Sequence, residues 1–456
     1  MSQYESQYIK LLIFHAALGG VIYFIPFLST IYGLVVLLFG ILYVIQNQNR
    51  NNEVLMMAAY ITGIDVFLKM TGGGILNEFG KYSVIVFMVL GMFYKGFSKG
   101  SFIYLLFLML LIPGIYMAIA ELSLNTNVRK AIAFNLSGPA CLGIAAVYCY
   151  KRAITFERLQ QILTMLCVPL VSTVVFLFVY SPSIRDVVTS TESNFATSGG
   201  FGPNQVATVL GLGIFTAFAL LLFNSKSKML QLINATLVLL FAYRGIVTFS
   251  RGGVYTALVM IVLLMVVVYF MVNIKGKSKL LFLAVLATFA AIGIWTYSSI
   301  QTGGLIDKRY ANEDARGRKK ESTLTGREML IETELKMFME NPLLGIGVGK
   351  NKEYRQQETG IVSASHNEIT RMMAEHGSLG IAGLLILFFT PVVVFFSDKK
   401  NIFALSFLAF WLLTINHAAM RIAAPAFIYA LALLKVNFSS AQTVPAPPEH
   451  IVRQEV

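Results

Sequence analysis

Apolar runs of bilayer-crossing length recur along this whole chain, at about 9–27, 31–46, 53–70, 81–94, 101–120, 131–150, 159–180, 205–223, 229–246, 252–273, 279–298, 378–396, 401–415 and 421–436. A spanning helix needs about 20 mostly apolar residues. The fourth and thirteenth runs are short, and the third carries Asp65 and Lys69, so the expected number of transmembrane helices is twelve to fourteen. Only 13% of the residues are charged, against about 25% in a soluble domain. The mean hydropathy is +0.70. The 35 phenylalanines, with many Met and Gly, suit helices packed in lipid. The first run follows a short polar start and continues into a second, so it reads as a retained helix rather than a cleaved signal. Cys141, Cys149 and Cys167 lie in apolar stretches without ligand spacing and read as buried small hydrophobes. The expected fold class is therefore an all-α polytopic membrane protein.

Lysine and arginine set the orientation. With the N-terminus in the cytoplasm, sixteen cations fall on the cytoplasmic side, among them Arg50, Lys95, Lys151, Arg152 and Arg158, and eight fall in short outer loops, among them Arg244, Arg251 and Arg421. Both termini are then inside and the loop 301–377 is outside. Most of the net charge of +13 is this topology signal. No basic stripe carries interleaved aromatics, so nucleic acid is not an expected partner. The loop itself has twelve Lys/Arg and twelve Asp/Glu and reads as a water-facing subdomain. The expected organisation is a helix bundle over 1–300, the loop subdomain over 301–377, C-terminal helices over 378–440, and a disordered Pro-rich tail over 441–456.

Three motifs in this frame could carry chemistry. In Ser250-Arg251-Gly252-Gly253, Arg251 opens a helix at the outer face and two glycines let a bulky group approach the backbone. Arg244 lies seven residues earlier, and two guanidiniums at one turn suit an anion. Interface anchoring explains the same residues without a ligand. In Thr325-Gly326-Arg327-Glu328, Thr325 and Glu328 fit a capping box for a helix that ends at Asn341-Pro342. Arg327 would stand in its first turn, where a cation opposes the helix dipole unless an anion also binds. In Ser365-His366-Asn367-Glu368 a second capping box would start a helix ending near Gly377. His366, in its first turn, would be held neutral, as a general base requires. A lone histidine is also commonly structural. His417, in a short outer turn close to Arg421, could join the same site; His376 would sit at a helix end beside Gly377.

Other features point away from familiar chemistries. Gly345-Ile346-Gly347-Val348-Gly349-Lys350 resembles a phosphate loop, but Leu344 stands where a glycine is needed and Asn351 where Ser or Thr is needed. It reads as a glycine-shaped turn. No paired aspartates or His/Asp/Glu cluster at ligand spacing appears, so no metal site is expected. The polar segment 181–204 could gate a groove or be an inert linker.

The stretch TGREMLIETELKMFMENPLLGIGVGKNKEY, followed by SASHNEITRMMAEHGSLGIAG, resembles the signature of the O-antigen ligase and O-antigen polymerase superfamily. The SRGG and GFGPNQ segments fit the same pattern, and the most specific likeness covers about 244–385. The resemblance implies a GT-C-like membrane glycosyltransferase, metal-independent, inverting and free of cofactor. It implies an enzyme of the bacterial inner membrane with its active site in a periplasmic loop. The donor would be a glycan on undecaprenyl pyrophosphate and the acceptor a hydroxyl of lipid A-core, making an O-antigen ligase of lipopolysaccharide biosynthesis. In polymerases the acceptor is the growing glycan, and in related oligosaccharyltransferases a protein side chain. By motif, His366, Arg251 and Arg327 take the catalytic places. Arg244, Asn367, Glu368, Arg421 and His417 are the expected substrate-binding residues. A lipid or solute transporter is the rival from another class, and would put functional charges such as Asp65 and Lys69 near the bilayer midplane.

Overall fold

A computed structural model describes residues 3–322, 327–417 and 420–438, whose regular structure is almost entirely helical. Thr325 and the tail from 441 lie outside the described residues. All fourteen apolar runs fall on helix. Ten helices among the described residues are long and apolar enough to cross a membrane. The other four runs form Glu53–Met70, which carries charge, and the shorter Phe79–Lys95, Ala404–Ile415 and Ala423–Leu431. Glu53–Met70 and Ala423–Leu431 are buried among other helices, where a helix need be neither long nor uniformly apolar.

Hydropathy does not say which helices are central, because lipid tails are as apolar as leucine. Packing does. Phe156–Tyr180 and Pro203–Phe223 form the middle of the bundle, 78% and 83% buried over their apolar windows, whereas the equally apolar Ile274–Gln301 is 6% buried and faces outward. The three cysteines are buried and unbridged, as their surroundings in the sequence imply. Small residues let helices touch. A Cβ on Gly253 would lie 1.9 Å from the carbonyl oxygen of Ala207, and one on Gly211 would lie 2.2 Å from that of Gly253. The backbones of Pro203–Phe223 and Arg251–Met271 therefore meet directly.

Glu368–Ser397 is broken at Gly377, whose φ is 59° and ψ −139°, so its first segment ends where the sequence places it. The break frees carbonyls, and the 341–349 loop takes them up. Ile346 N donates to Ala374 O at 2.9 Å and Gly347 N to Glu375 O at 3.2 Å, while Ser378 N donates back to Pro342 O at 2.7 Å. Gly345, Gly347 and Gly349 all have positive φ, between 71° and 92°, as a glycine-shaped turn requires.

Phe156–Tyr180, with 25 residues, spans roughly 37 Å at 1.5 Å per residue. Its start lies beside a two-stranded parallel ladder, Ala153–Thr155 with Lys435–Asn437. Its end leads into the 181–204 segment.

Gly253→Ala should lower the unfolding temperature of the detergent-solubilised protein, at a cost of about 1–3 kcal/mol for overpacking. Gly293→Ala, on a helix face with nothing within 4 Å, should leave it unchanged. Scanning fluorimetry on both variants checks the contrast.

Candidate functional site

At this end of the bundle three helices begin around one cavity. Pro203, Asn204 and Gln205, the first residues of Pro203–Phe223, form one wall. Arg327, the N-cap of Glu328–Glu340, forms another. His366 forms a third, one residue before Asn367, the N-cap of Glu368–Ser397. The cavity measures about 430 Å³, and Arg309 and Arg421 complete its basic lining. An adjoining cavity of about 240 Å³ shares Arg327, Leu330 and His366, and adds Glu334, Asn367 and Asn416. Three helix N-termini and three guanidiniums thus face one space, an arrangement suited to a multiply charged anion.

The caps differ from the expected boxes. Asn367, not Ser365, caps its helix, accepting from Ile369 N at 2.9 Å and Thr370 N at 3.4 Å. His366 therefore precedes the helix instead of standing in its first turn. Arg327 is likewise the cap position, and the Glu328 carboxylate accepts from Ser322 Oγ at 2.8 Å. Both side chains line the cavity.

Ion pairs set the loop that carries His366. Arg355 is fully buried; it donates to Glu334 at 2.8 Å and to the carbonyl of Ser363. Arg421 donates to the carbonyl of Ser365. Two arginines thus grip the carbonyls just before the histidine. Beneath them Arg371 bridges Glu368 and Glu375, all buried. Glu368, expected as a substrate ligand, is turned inward by this pairing and does not line either cavity.

Arg244 also departs from expectation. It is 0% exposed, donates to Ser181 Oγ at 2.9 Å and to Thr197 O at 3.0 Å, and lies 5.2 Å over the Phe178 ring. It fastens the 181–198 segment, which folds back so that Ser193 and Phe195 line the cavity. Arg251 stands behind the lining, its Nη1 donating to the Arg309 carbonyl at 3.5 Å. The bulky group admitted by Gly252 is the ring of His417, 2.6 Å from where a Cβ would sit. His417 bonds to Thr208 Oγ1 at 3.3 Å and the Leu413 carbonyl at 2.9 Å. His376 is buried against Gly114 and takes no part.

Sequence reasoning missed Arg309. It is 6% exposed, held by Phe249 O at 3.0 Å, and pairs with Glu192 at 3.7 Å. Its helix Leu305–Tyr310 is short, and the arginine, although only 18 residues before Arg327, belongs to none of the motifs singled out in the sequence. Among the described residues no group of three or more His, Cys, Asp or Glu side chains is placed to hold a metal ion.

Residues 235–385 match the family model described as O-antigen ligase. The match covers about a third of the chain and supports a place in the O-antigen ligase and polymerase superfamily. No curated protein matches it. The matched stretch contains Arg244, Arg251, Arg309, Arg327 and His366. The matched stretch therefore supplies five of the twelve lining residues, Arg309, Arg327, Leu330, Ser363 and His366, while Ser193, Phe195, Gly202 to Gln205 and Arg421 come from outside it. Asp65 and Lys69, the charges a transporter would use, instead hold the backbone of the segment bearing Arg421: Asp65 accepts from Ala423 N at 2.9 Å, and Lys69 donates to Arg421 O at 3.0 Å.

Burial, and then the charges of Arg421, Arg327 and Arg355, push the His366 imidazole down to about 4. It is neutral at pH 7. Because the unfolded chain would take up this proton first, the group's contribution to stability falls as pH drops from about 6.5 toward 4. Arg421→Gln keeps a donor for Ser365 and removes the charge, so His366 should protonate nearer 6.5. The check is the pH dependence of diethyl pyrocarbonate modification of His366: wild type should stay reactive below pH 6, and the variant should lose reactivity there.

Proposed function

We propose that this protein is an O-antigen ligase, moving a glycan from undecaprenyl pyrophosphate to a hydroxyl of lipid A-core at the periplasmic face of the inner membrane. The observation that carries this reading is a neutral histidine sharing one cavity with three guanidiniums and three helix N-termini. Arg309, Arg327 and Arg421 bind the pyrophosphate, and Arg251 braces Arg309 from behind. The acceptor enters by the smaller cavity, past Asn367 and Asn416. His366 takes the proton of the acceptor hydroxyl as its oxygen attacks the anomeric carbon. The bond from that carbon to the phosphate oxygen breaks on the opposite face, inverting the centre. The electron pair leaves with undecaprenyl pyrophosphate, whose added charge the guanidiniums and helix ends stabilise. The free energy comes from the donor, so neither ATP nor another cofactor enters.

His366→Ala should reduce transfer by roughly 10²–10⁴-fold, and Arg309→Gln or Arg327→Gln by roughly 10²–10³-fold, without loss of folded protein. The test is gene deletion in the host, complementation with wild type or His366→Ala, and electrophoresis of the envelope glycolipids. Deletion should leave lipid A-core bare, with long chains held on the lipid carrier, and His366→Ala should fail to restore transfer. A single repeat left on the core would instead identify a polymerase, and an unchanged gel would sink both lipopolysaccharide readings.

A further inference from the structure

At the opposite end of the bundle, where Phe156–Tyr180 begins, two adjoining cavities of about 540 and 370 Å³ share Asn52, Lys95 and Ala153 in their walls. Five cations line the pair: Arg50, Lys95, Lys151, Arg152 and Arg158. Glu157 in the wall, and Glu53 at 3.6 Å from Arg158, offset two of them. Charge that only sets topology needs to be near water, not arranged around a hollow. Here it is arranged. Arg152 donates to Tyr148 O at 2.8 Å and Gly96 O at 2.6 Å and lies 3.8 Å over the Tyr148 ring. Lys95 donates to Arg50 O at 2.7 Å. Arg50 and Lys151 remain exposed at the rim.

Positive-φ backbone occurs in the cavity walls at Asn52 and Lys151, and at the neighbouring helix end at Gln48 and Asn49. Gln48, Asn49, Asn52 and Lys151 have φ of 52°, 50°, 58° and 51°, four of the six such non-glycine residues among those described. Asparagine tolerates this region, but glutamine and lysine lose about 1 kcal/mol or more in it. Strain of this kind gathers where a ligand is clamped. Aromatic side chains stand beside the smaller cavity. Phe97 lines it and meets Phe102 edge-on at 6.2 Å, and Phe93, one turn back, is 82% exposed.

We propose that these joined cavities bind the phosphate headgroup of an anionic phospholipid, with its acyl chains against Phe93, Phe97 and Phe102. Basic hollows between helices at a membrane border recognise such headgroups. Asn437 lines the larger cavity, so the lipid would also fasten the Lys435–Asn437 strand to the rest of this face. This inference is independent of the transferase reading.

The test is native mass spectrometry and thermal unfolding of the purified full-length protein with phosphatidylglycerol, with phosphatidylcholine, or with sodium pyrophosphate alone. Wild type should retain phosphatidylglycerol and gain stability from it, and Arg50→Gln/Lys151→Gln should retain at least tenfold less. Lys151→Asn separates binding from folding: asparagine suits the positive φ, so the variant should unfold no earlier without lipid yet show roughly threefold weaker retention. Equal retention of both lipids, or variants that retain phosphatidylglycerol like wild type, would overturn the proposal. Stabilisation by pyrophosphate that Arg50→Gln/Lys151→Gln abolishes, without selective lipid retention, would overturn it in favour of a soluble anion.

Discussion

The interlock between the Gly345–Gly349 turn and the break at Gly377 governs the rest of this structure. A helix that stops inside a membrane protein leaves carbonyls that lipid cannot satisfy. Here the amides of Ile346 and Gly347 reach Ala374 and Glu375 across the break. Their reach depends on close approach, since a Cβ on Gly345 would lie 2.5 Å from the Glu375 carbonyl carbon. The segment of helix before the break is thereby fixed in direction. Its N-terminus, with Asn367 and His366, points at the cavity and does not continue the line of the membrane helix that follows.

Buried charge performs the second task, which is to hold irregular backbone in one place. Taking an ion pair out of water is expensive, and such pairs are weak evidence for stability. Their use here is positional. Glu334 and Arg355 grip the chain at Ser363; Asp65, Lys69 and Lys81 grip the backbone at Ala423, Arg421 and Met420. Both gripped segments carry a side chain of the candidate site. Removing one partner would leave the other charged and buried; of these residues only Glu334 lines a cavity of the site, and the others act on it through the backbone they hold.

The charge distribution has two poles. One is the cavity where three guanidiniums are joined by three helix N-termini. The other is the double hollow beside the Ala153–Thr155 ladder, where cations surround strained asparagine and lysine backbone. Phe156–Tyr180 runs between the two ends through the middle of the bundle: its first turn lines the double hollow, and its far end leads into the segment whose Ser193 and Phe195 line the other cavity.

The sequence by itself determined the helices, because about 20 apolar residues in a row have one low-energy form in lipid. It also determined where Glu328–Glu340 and the segment before Gly377 end, since Pro342 and a glycine with positive φ cannot continue a helix. Arg327 and His366 were legible as residues at helix starts. What occupies the space around them was not. Arg309 and Arg421 line the cavity while Arg244 turns inward, and nothing local distinguishes these cases, because their partners Phe249, Ser365 and Ser181 lie 60, 56 and 63 residues away, whereas Glu368 is turned inward by Arg371, three residues on. Local hydrogen bonding and periodicity are written in neighbouring residues. The convergence of three helix ends and the choice of which arginine is spent on backbone carbonyls are decided only when distant segments pack.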